Sequence, residues 1–256
     1  MAKLPNSSSN MLKALHEPHS PVVFTNIYDA ASAKAVASLP SAKALATASY
    51  AVAAAVGLKD DDLTMDINIA AATRIASAIK DFRKPLSVDF QDGYGDQLED
   101  GVRQLLQAGV AGINLEDYNN TIKEMYSSDE ASSRIRRVMG VAHAAGVPDF
   151  VVNARCDTLL HGGKLEEVIE RGQRYLAAGA TTVFVWGGSR GVSSAEVAEL
   201  VKAFDGRLNV LLKLSPDGLT IPELADIGVA RISIGPTLQL KAMEKLKEEA
   251  ENILKK

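Results

Sequence analysis

Six polar residues stand where short apolar runs give out, and together they could bind a divalent cation and an anion. Asp89 and Gln91 follow the run L-S-V, Asn114 and Glu116 follow A-G-I, and Arg155 and Asp157 follow V-V-N-A. Carboxylate and amide oxygens suit Mg2+, which keeps several waters and takes one or two carboxylates plus substrate oxygens. An arginine opposite them suits a carboxylate or phosphonate through its bidentate fork. Each residue also has a plainer reading. Asp89 can simply form a turn, Gln91 can satisfy backbone groups, and Arg155 can pair internally with Asp157 or Glu116. Asn26 with Tyr28, Thr47 with Ser49, Trp186 and Lys213 end further apolar runs. Trp186 would either narrow a pocket or sit in the core.

Local pattern says which elements carry these residues. In P-L-S-V-D-F-Q-D-G-Y-G-D (85–96), Leu86, Val88 and Phe90 alternate with Ser87, Asp89 and Gln91, the period of a half-buried strand. Asp92, Gly93 and Gly95 break it, and Asp96 is placed to cap a helix over 97–108. After a short helix at Leu12–His16, eight strand–helix units follow in order. Strands are expected at Val22–Asn26, Ala42–Ser49, the 86–91 segment, Ala111–Glu116, Asp149–Arg155, Thr181–Trp186, Leu208–Leu214 and Ala230–Ile234. The helices between them are expected at Asp29–Ser38, Asp66–Asp81, 97–108, Ala131–Ala145, Leu165–Ala178, Ser194–Phe204, Ile221–Asp226 and 237–254. A-G-V, A-G-V, A-G-A and I-G-V at 108–110, 145–147, 178–180 and 227–229 each put glycine where a helix would end left-handed. Eight consecutive units predict an α/β fold, a single-domain (β/α)8 TIM barrel, with residues 1–21 as an N-terminal arm and 22–256 as the barrel. In such a barrel the strand ends face one common site.

Composition narrows the function classes. Net charge −4 and the absence of a Lys/Arg block argue against nucleic-acid binding. One cysteine, Cys156, permits no intrachain disulfide and suggests a reducing compartment. No apolar run approaches the roughly 20 residues of a membrane span, and M-A-K-L-P-N-S-S-S-N lacks a signal-peptide core. A cytoplasmic protein without a membrane partner is expected. His16, His19, His143 and His161 show no ligand spacing, which speaks against a His-based zinc site or a Ser-His-Asp triad. Cys156 is out of phase with Arg155 and should point out of the barrel.

Five ordered motifs then carry a resemblance. A-T-A-S-Y-A-V-A-A-A-V-G-L-K-D (46–60), V-D-F-Q-D-G-Y-G-D (88–96), A-G-V-A-G-I-N-L-E-D (108–117), N-A-R-C-D (153–157) and I-G-V-A-R-I-S-I-G (227–235) make the chain resemble the phosphoenolpyruvate mutase/isocitrate lyase superfamily from about Val22 to Leu254. The resemblance implies a Mg2+-dependent barrel, a homodimer or homotetramer, often with the last helix swapped between subunits. It also implies cleavage or formation of a C–C or P–C bond beside a small 2-oxo or 2-hydroxy carboxylate, through an enolpyruvate-like species. By the same resemblance Asp89 is the Mg2+-binding aspartate, Glu116 its water-mediated partner and Arg155 the substrate-binding arginine. Thr47, Ala48 and Ser49 form the loop that holds the substrate carboxylate, and Asp60 is the aspartate after the strand-two turn.

Two departures stand out. Relatives read D-x-D where this chain has Asp89-x-Gln91, which removes one negative charge from a metal shell of Asp89, Gln91 and Glu116. The carbon–carbon lyases carry K-K-C-G-H after strand four, whereas residues 118–133 here contain neither Cys nor His. Without that thiol acid, isocitrate or methylisocitrate cleavage is not expected. The metal–enolate platform alone suffices for decarboxylation of a β-oxo acid. The alternatives are a hydrolase or mutase acting on a phosphonopyruvate-like P–C bond, and a repurposed barrel without family catalysis.

Overall fold

Eight parallel strands alternate with helices: β1 (Val22–Phe24), β2 (Leu45–Ala46), β3 (Leu86–Asp89), β4 (Gly112–Glu116), β5 (Val151–Cys156), β6 (Thr182–Val185), β7 (Leu208–Leu211) and β8 (Arg231–Ser233). The computed structural model describes residues 4–214 and 218–255. Residues 1–3 of the expected arm, 215–217 after β7 and 256 lie outside the described residues. Each strand pairs with its sequence neighbour from β2 through to β8, and β8 pairs with β1. The remaining seam is joined by one parallel bridge, Ile27 to Thr47, with Ile27 N donating to Ala46 O at 2.8 Å. Asn26 reinforces it from both sides. Its Nδ2 donates to Thr47 O at 2.8 Å, and its Oδ1 accepts from Ile234 N and Gly235 N, each at 3.1 Å. The eightfold expectation therefore holds, and a (β/α)8 barrel results.

The helices are α1 (Ser7–Ala14), α2 (Ala30–Ala37), α3 (Ser49–Ala55), α4 (Met65–Ala78), α5 (Leu98–Gln107), α6 (Ser128–Ala144), α7 (Leu165–Ala177), α8 (Ser194–Ala203), α9 (Ile221–Ile227) and α10 (Thr237–Leu254). Gly109, Gly146, Gly179 and Gly228 do follow helix ends with positive φ, from 82° to 112°, where a side chain would be strained. Other expectations need correction. Strand two shrinks to Leu45–Ala46 because the alanine-rich segment after it coils into α3. Asp96 does not cap α5: it falls inside a 3-10 turn, Gly95–Gln97, and the Gln97 cap position makes no side-chain hydrogen bond. Helix α6 begins earlier than expected, since Ser127 accepts from Glu130 N and starts it at Ser128.

Along the strands, outward residues such as Val88, Ile113, Val152, Val183, Val210 and Ile232 pack under the helices in the main core. Cys156 belongs to this outward set, as its phase predicts, with its thiol 3.3 Å from Thr158 Oγ1. The alternate, inward residues are mostly polar: Ser87, Asn114, Asn153, Thr182, Asn209, Arg231 and Ser233, all buried. Helix α1 plugs the barrel below them. Leu12 is wholly buried against Val22, Phe24, Ala44, Ala46, Ala111 and Val151. Asp149 pins the helix from outside by accepting from Asn6 at 2.7 Å and pairing with Lys13 at 2.9 Å.

Gly112 marks how tight this plug is. A Cβ there would stand 2.6 Å from Val151 O, 2.7 Å from Val151 Cβ and 3.1 Å from Leu12 Cδ2. Backbone cannot yield as a side-chain tip can, so Gly112→Ala is expected to cost about 1–3 kcal/mol. Urea unfolding checks it, and an unchanged midpoint would mean that the β4–β5 pair yields to the added carbon.

Candidate active site

The strand ends form a two-chambered cleft. An inner chamber of about 160 Å³ is lined by Ala48, Ser49, Asp60, Asp89, Asn114, Arg155, Trp186 and Ser233, among others. An outer one of about 330 Å³ shares Asp60, Arg155 and Trp186 and adds Gln91, Glu116, Asp157 and the loop after β4.

Asp89 is held on three sides. Its N–H donates to Thr47 Oγ1 at 2.8 Å, its carbonyl accepts from Asn68 Nδ2 at 2.9 Å, and its Oδ2 accepts from Ser49 N at 2.9 Å. Its Oδ1 is buried with no hydrogen-bond partner. An ionised carboxylate oxygen left so is costly unless a ligand completes it. Thr47 and Ser49 thus position Asp89 in this structure. Gln91 has left-handed backbone, φ 49°. Its Nε2 donates to Asp60 O at 2.9 Å and to Asp60 Oδ1 at 3.0 Å, so the amide clamps the 3-10 turn Asp60–Asp62. Burial and the Asp89 charge push the Asp60 carboxyl above its ordinary range.

Opposite, Arg155 is gripped by acids. Its Nε and Nη2 donate to the two oxygens of Asp157 at 2.6 and 2.8 Å, and its Nη1 donates to Glu116 Oε1. Trp186 covers the guanidinium, whose carbon lies 4.3 Å from the ring centroid. Burial pushes the Glu116 carboxyl upward and the Arg155 charge draws it back. Three of the five guanidinium N–H groups are used, which leaves one on each terminal nitrogen for an acceptor in the cleft. Asp117 lines neither chamber. It accepts from Tyr175 OH at 2.7 Å and Asp157 N at 2.9 Å, and burial with the nearby Asp157 pushes it up to about 6.

The segment after β4, where a lyase would carry its cysteine loop, is a small hairpin. Tyr118–Asn119 pair antiparallel with Glu124–Met125. Tyr118, Asn120 and Lys123 line the outer chamber. Lys123 reaches across to Asp61 at 2.8 Å, and Tyr118 stacks on His161 with ring centroids 4.3 Å apart. Tyr126 OH and Asn120 N anchor the base to Asp92 Oδ2, each at 3.3 Å. Sequence reading expects no strands here, although the turn-forming Asn119, Asn120 and Thr121 ahead of E-M (124–125) were the available signal. It also missed His161 at the rim. Tyr28 packs beside Val52, Ala53 and Leu63 and lines neither chamber. Lys213 lies on the wall of a separate cavity between the loops after β6 and β7.

Among the described residues, no three His, Cys, Asp or Glu side chains converge closely enough to cage a metal. An ion that uses one or two carboxylates and keeps its waters does not need such a cage. Among the described residues, five acids, Asp60, Asp61, Asp89, Glu116 and Asp157, line the two chambers with two cations, Arg155 and Lys123, the second already paired with Asp61. Further positive charge therefore fits this cleft.

The chain is an eight-stranded α/β barrel and belongs to the phosphoenolpyruvate mutase/isocitrate lyase superfamily. The family model described as phosphoenolpyruvate phosphomutase matches residues 12–254. A crystal structure from Burkholderia cenocepacia J2315, classed as a phosphonomutase, superposes with TM-score 0.87 at 33% identity, over 96% of this chain and 98% of that one. The oxaloacetate acetylhydrolase crystallised with its product oxalate superposes with TM-score 0.83 at 27% identity, over 96% and 86%. The 2-methylisocitrate lyase of Escherichia coli K12 is 29% identical over 185 residues, 67% of this chain and 59% of the lyase. The protein is thus an enzyme of a superfamily of lyases and mutases. No described helix is long and apolar enough to cross a membrane.

Proposed function

We propose that this enzyme is a Mg2+-dependent lyase of the decarboxylase type, cleaving the bond between C3 and the C4 carboxylate of a small 2-oxo di-acid such as oxaloacetate. The observation that carries the reading is the orphaned Oδ1 of Asp89, buried in a cleft with excess acid and facing Arg155. Asp89 would hold the ion, with Glu116, Asp60 and the Gln91 carbonyl oxygen as further donors, and the ion supplies positive charge to the oxygens of the 2-oxo acid. The free N–H groups of Arg155 orient the substrate carboxylate. Trp186 and the hairpin keep bulk water from the reacting carbon. The electron pair of the breaking C3–C4 bond becomes the C2–C3 double bond while the carbonyl pair moves onto the 2-oxo oxygen, and carbon dioxide leaves without needing an acid. The enolate then takes one proton at C3 from water to give the mono-acid product. That fits a chain with no cysteine between β4 and α6.

The test is a melting scan with Mg2+ and oxalate, a mimic of the enolate, followed by an assay on oxaloacetate and phosphonopyruvate. At ligand a hundredfold above its Kd the complex gains about 2.7 kcal/mol, a rise of several degrees. No rise would favour a barrel without family catalysis, and turnover of phosphonopyruvate alone would favour P–C hydrolysis. The reading extends to a cytoplasmic homodimer or homotetramer. Helix α10 leaves Leu240, Met243, Leu246, Ile253 and Leu254 exposed, a face suited to a partner subunit and to exchange of the helix.

A further inference from the structure

The barrel interior beneath the cleft contains a buried cation without a counter-ion. Arg231 is only 1% exposed, and no carboxylate pairs with it among the described residues. Its guanidinium lies 4.3 Å over the Phe24 ring, its Nη1 meets His16 Nε2 at 3.2 Å, its Nη2 donates to Asn114 Oδ1 at 3.0 Å, and its Nε has no partner. Burial brings it down to about 9, so it stays protonated at neutral pH. Burial and this charge hold His16 down to about 3, a neutral ring whose Nδ1 donates to Leu12 O at 2.8 Å and whose Nε2 accepts from Arg231.

An arginine can only donate. Asn114 must therefore turn its oxygen down to Arg231, and Asn153 Nδ2 donates to that same oxygen at 2.9 Å. Asn153 in turn must accept through its Oδ1, which it does from Thr182 Oγ1 at 2.7 Å. One donor-only group thus sets the polarity of the whole floor. The Nδ2H2 of Asn114 is left over. Asn114 lines the inner chamber directly beside Asp89, its register partner on β3, and its Nδ2 donates to no group among the described residues.

We propose that Asn114 is a substrate-binding donor at the floor of the cleft, giving a hydrogen bond to an anionic oxygen of the 2-oxo acid, and that Arg231 is the positioning residue that fixes its amide. Asn114 oxygen is spent, so this residue serves the organic anion and not the cation. The charge of Arg231 behind it adds preference for an acceptor that carries negative charge. This deepens the 2-oxo acid reading and rests on it.

Calorimetric titration of Mg2+ and then oxalate, with melting temperatures, tests the assignment on the wild type, Asn114→Asp and Arg231→Gln. Asn114→Asp keeps both acceptor contacts to Arg231 and Asn153 but turns an oxygen where the donor was. Its melting temperature and Mg2+ affinity are expected to hold or rise while oxalate affinity falls about 30-fold. Arg231→Gln lets the Asn114 amide rotate, and oxalate affinity is expected to fall about 5-fold with Mg2+ affinity kept. Oxalate binding by Asn114→Asp at the wild-type level overturns the donor role, and the same result for Arg231→Gln overturns the positioning role. A crystal structure of the wild type with Mg2+ and oxalate reads the contact without any variant. An oxalate oxygen within about 3.2 Å of Nδ2 is expected, and a more distant one overturns the proposal. A wild type that binds no oxalate at all refutes the 2-oxo acid reading instead.

Discussion

Replacing Asp89 with alanine is expected to abolish Mg2+-dependent turnover, lowering kcat/KM by about a thousandfold or more. Among the described residues, Asp89 is the one carboxylate whose second oxygen is buried and unmatched while its first is fixed by Ser49 N at 2.9 Å. Alanine would also leave that N–H without its acceptor, so lost activity alone could reflect a disturbed loop. Asp89→Asn separates the effects, because the amide oxygen still accepts from Ser49 N while the charge is gone. Its melting temperature should stay within a few degrees of wild type, and its Mg2+ response should vanish as in the alanine variant. Full activity in either protein would sink the metal assignment.

Arg155→Met should affect stability and binding together. The guanidinium neutralises Glu116 and Asp157, which are 7% and 1% exposed, and its removal strands two buried carboxylates. Breaking a buried pair from one side costs about 3–5 kcal/mol, a fall of roughly 6–20 °C in a chain of this size. Because the Arg155 charge favours the ionised form of Glu116 while burial opposes it, the deficit should shrink as the pH falls and Glu116 protonates. Oxalate binding should be lost at every pH. Melting curves across pH check the first point and calorimetry the second. A variant with unchanged stability would mean that Asp157 and Glu116 are satisfied without Arg155. Arg155→Lys restores the charge but not the fork held at 2.6 and 2.8 Å by Asp157, so it should recover part of the stability and little of the binding.

The barrel was legible from sequence because each unit repeats local physics: alternation makes a strand, and an A-G-V-type junction ends a helix. Asp89, Glu116 and Arg155 were legible for the same reason, since strand phase and strand end are properties of a few consecutive residues. Strand two was misjudged in extent because alanine fits strand and helix alike until its neighbours decide. Asp96 had a capping residue's chemistry, but the left-handed backbone of Tyr94 and Gly95, φ 58° and 62°, turned the chain one step too early.

Where the sequence stopped, the missing information was distance between residues far apart in the chain. The sequence alone determined an eightfold barrel, the strand ends that would face a common cleft, a segment after β4 without Cys or His, and an amide, Gln91, two residues after Asp89. Only the tertiary structure decided what Gln91 does, holding Asp60 across 31 positions of chain. Only it brought His161 against Tyr118, and joined Arg231 to Asn114 across 117 positions. A residue type fixes what a side chain can donate or accept. The fold decides which partner lies within about 3 Å of it, and in a polar barrel interior that choice orients the site.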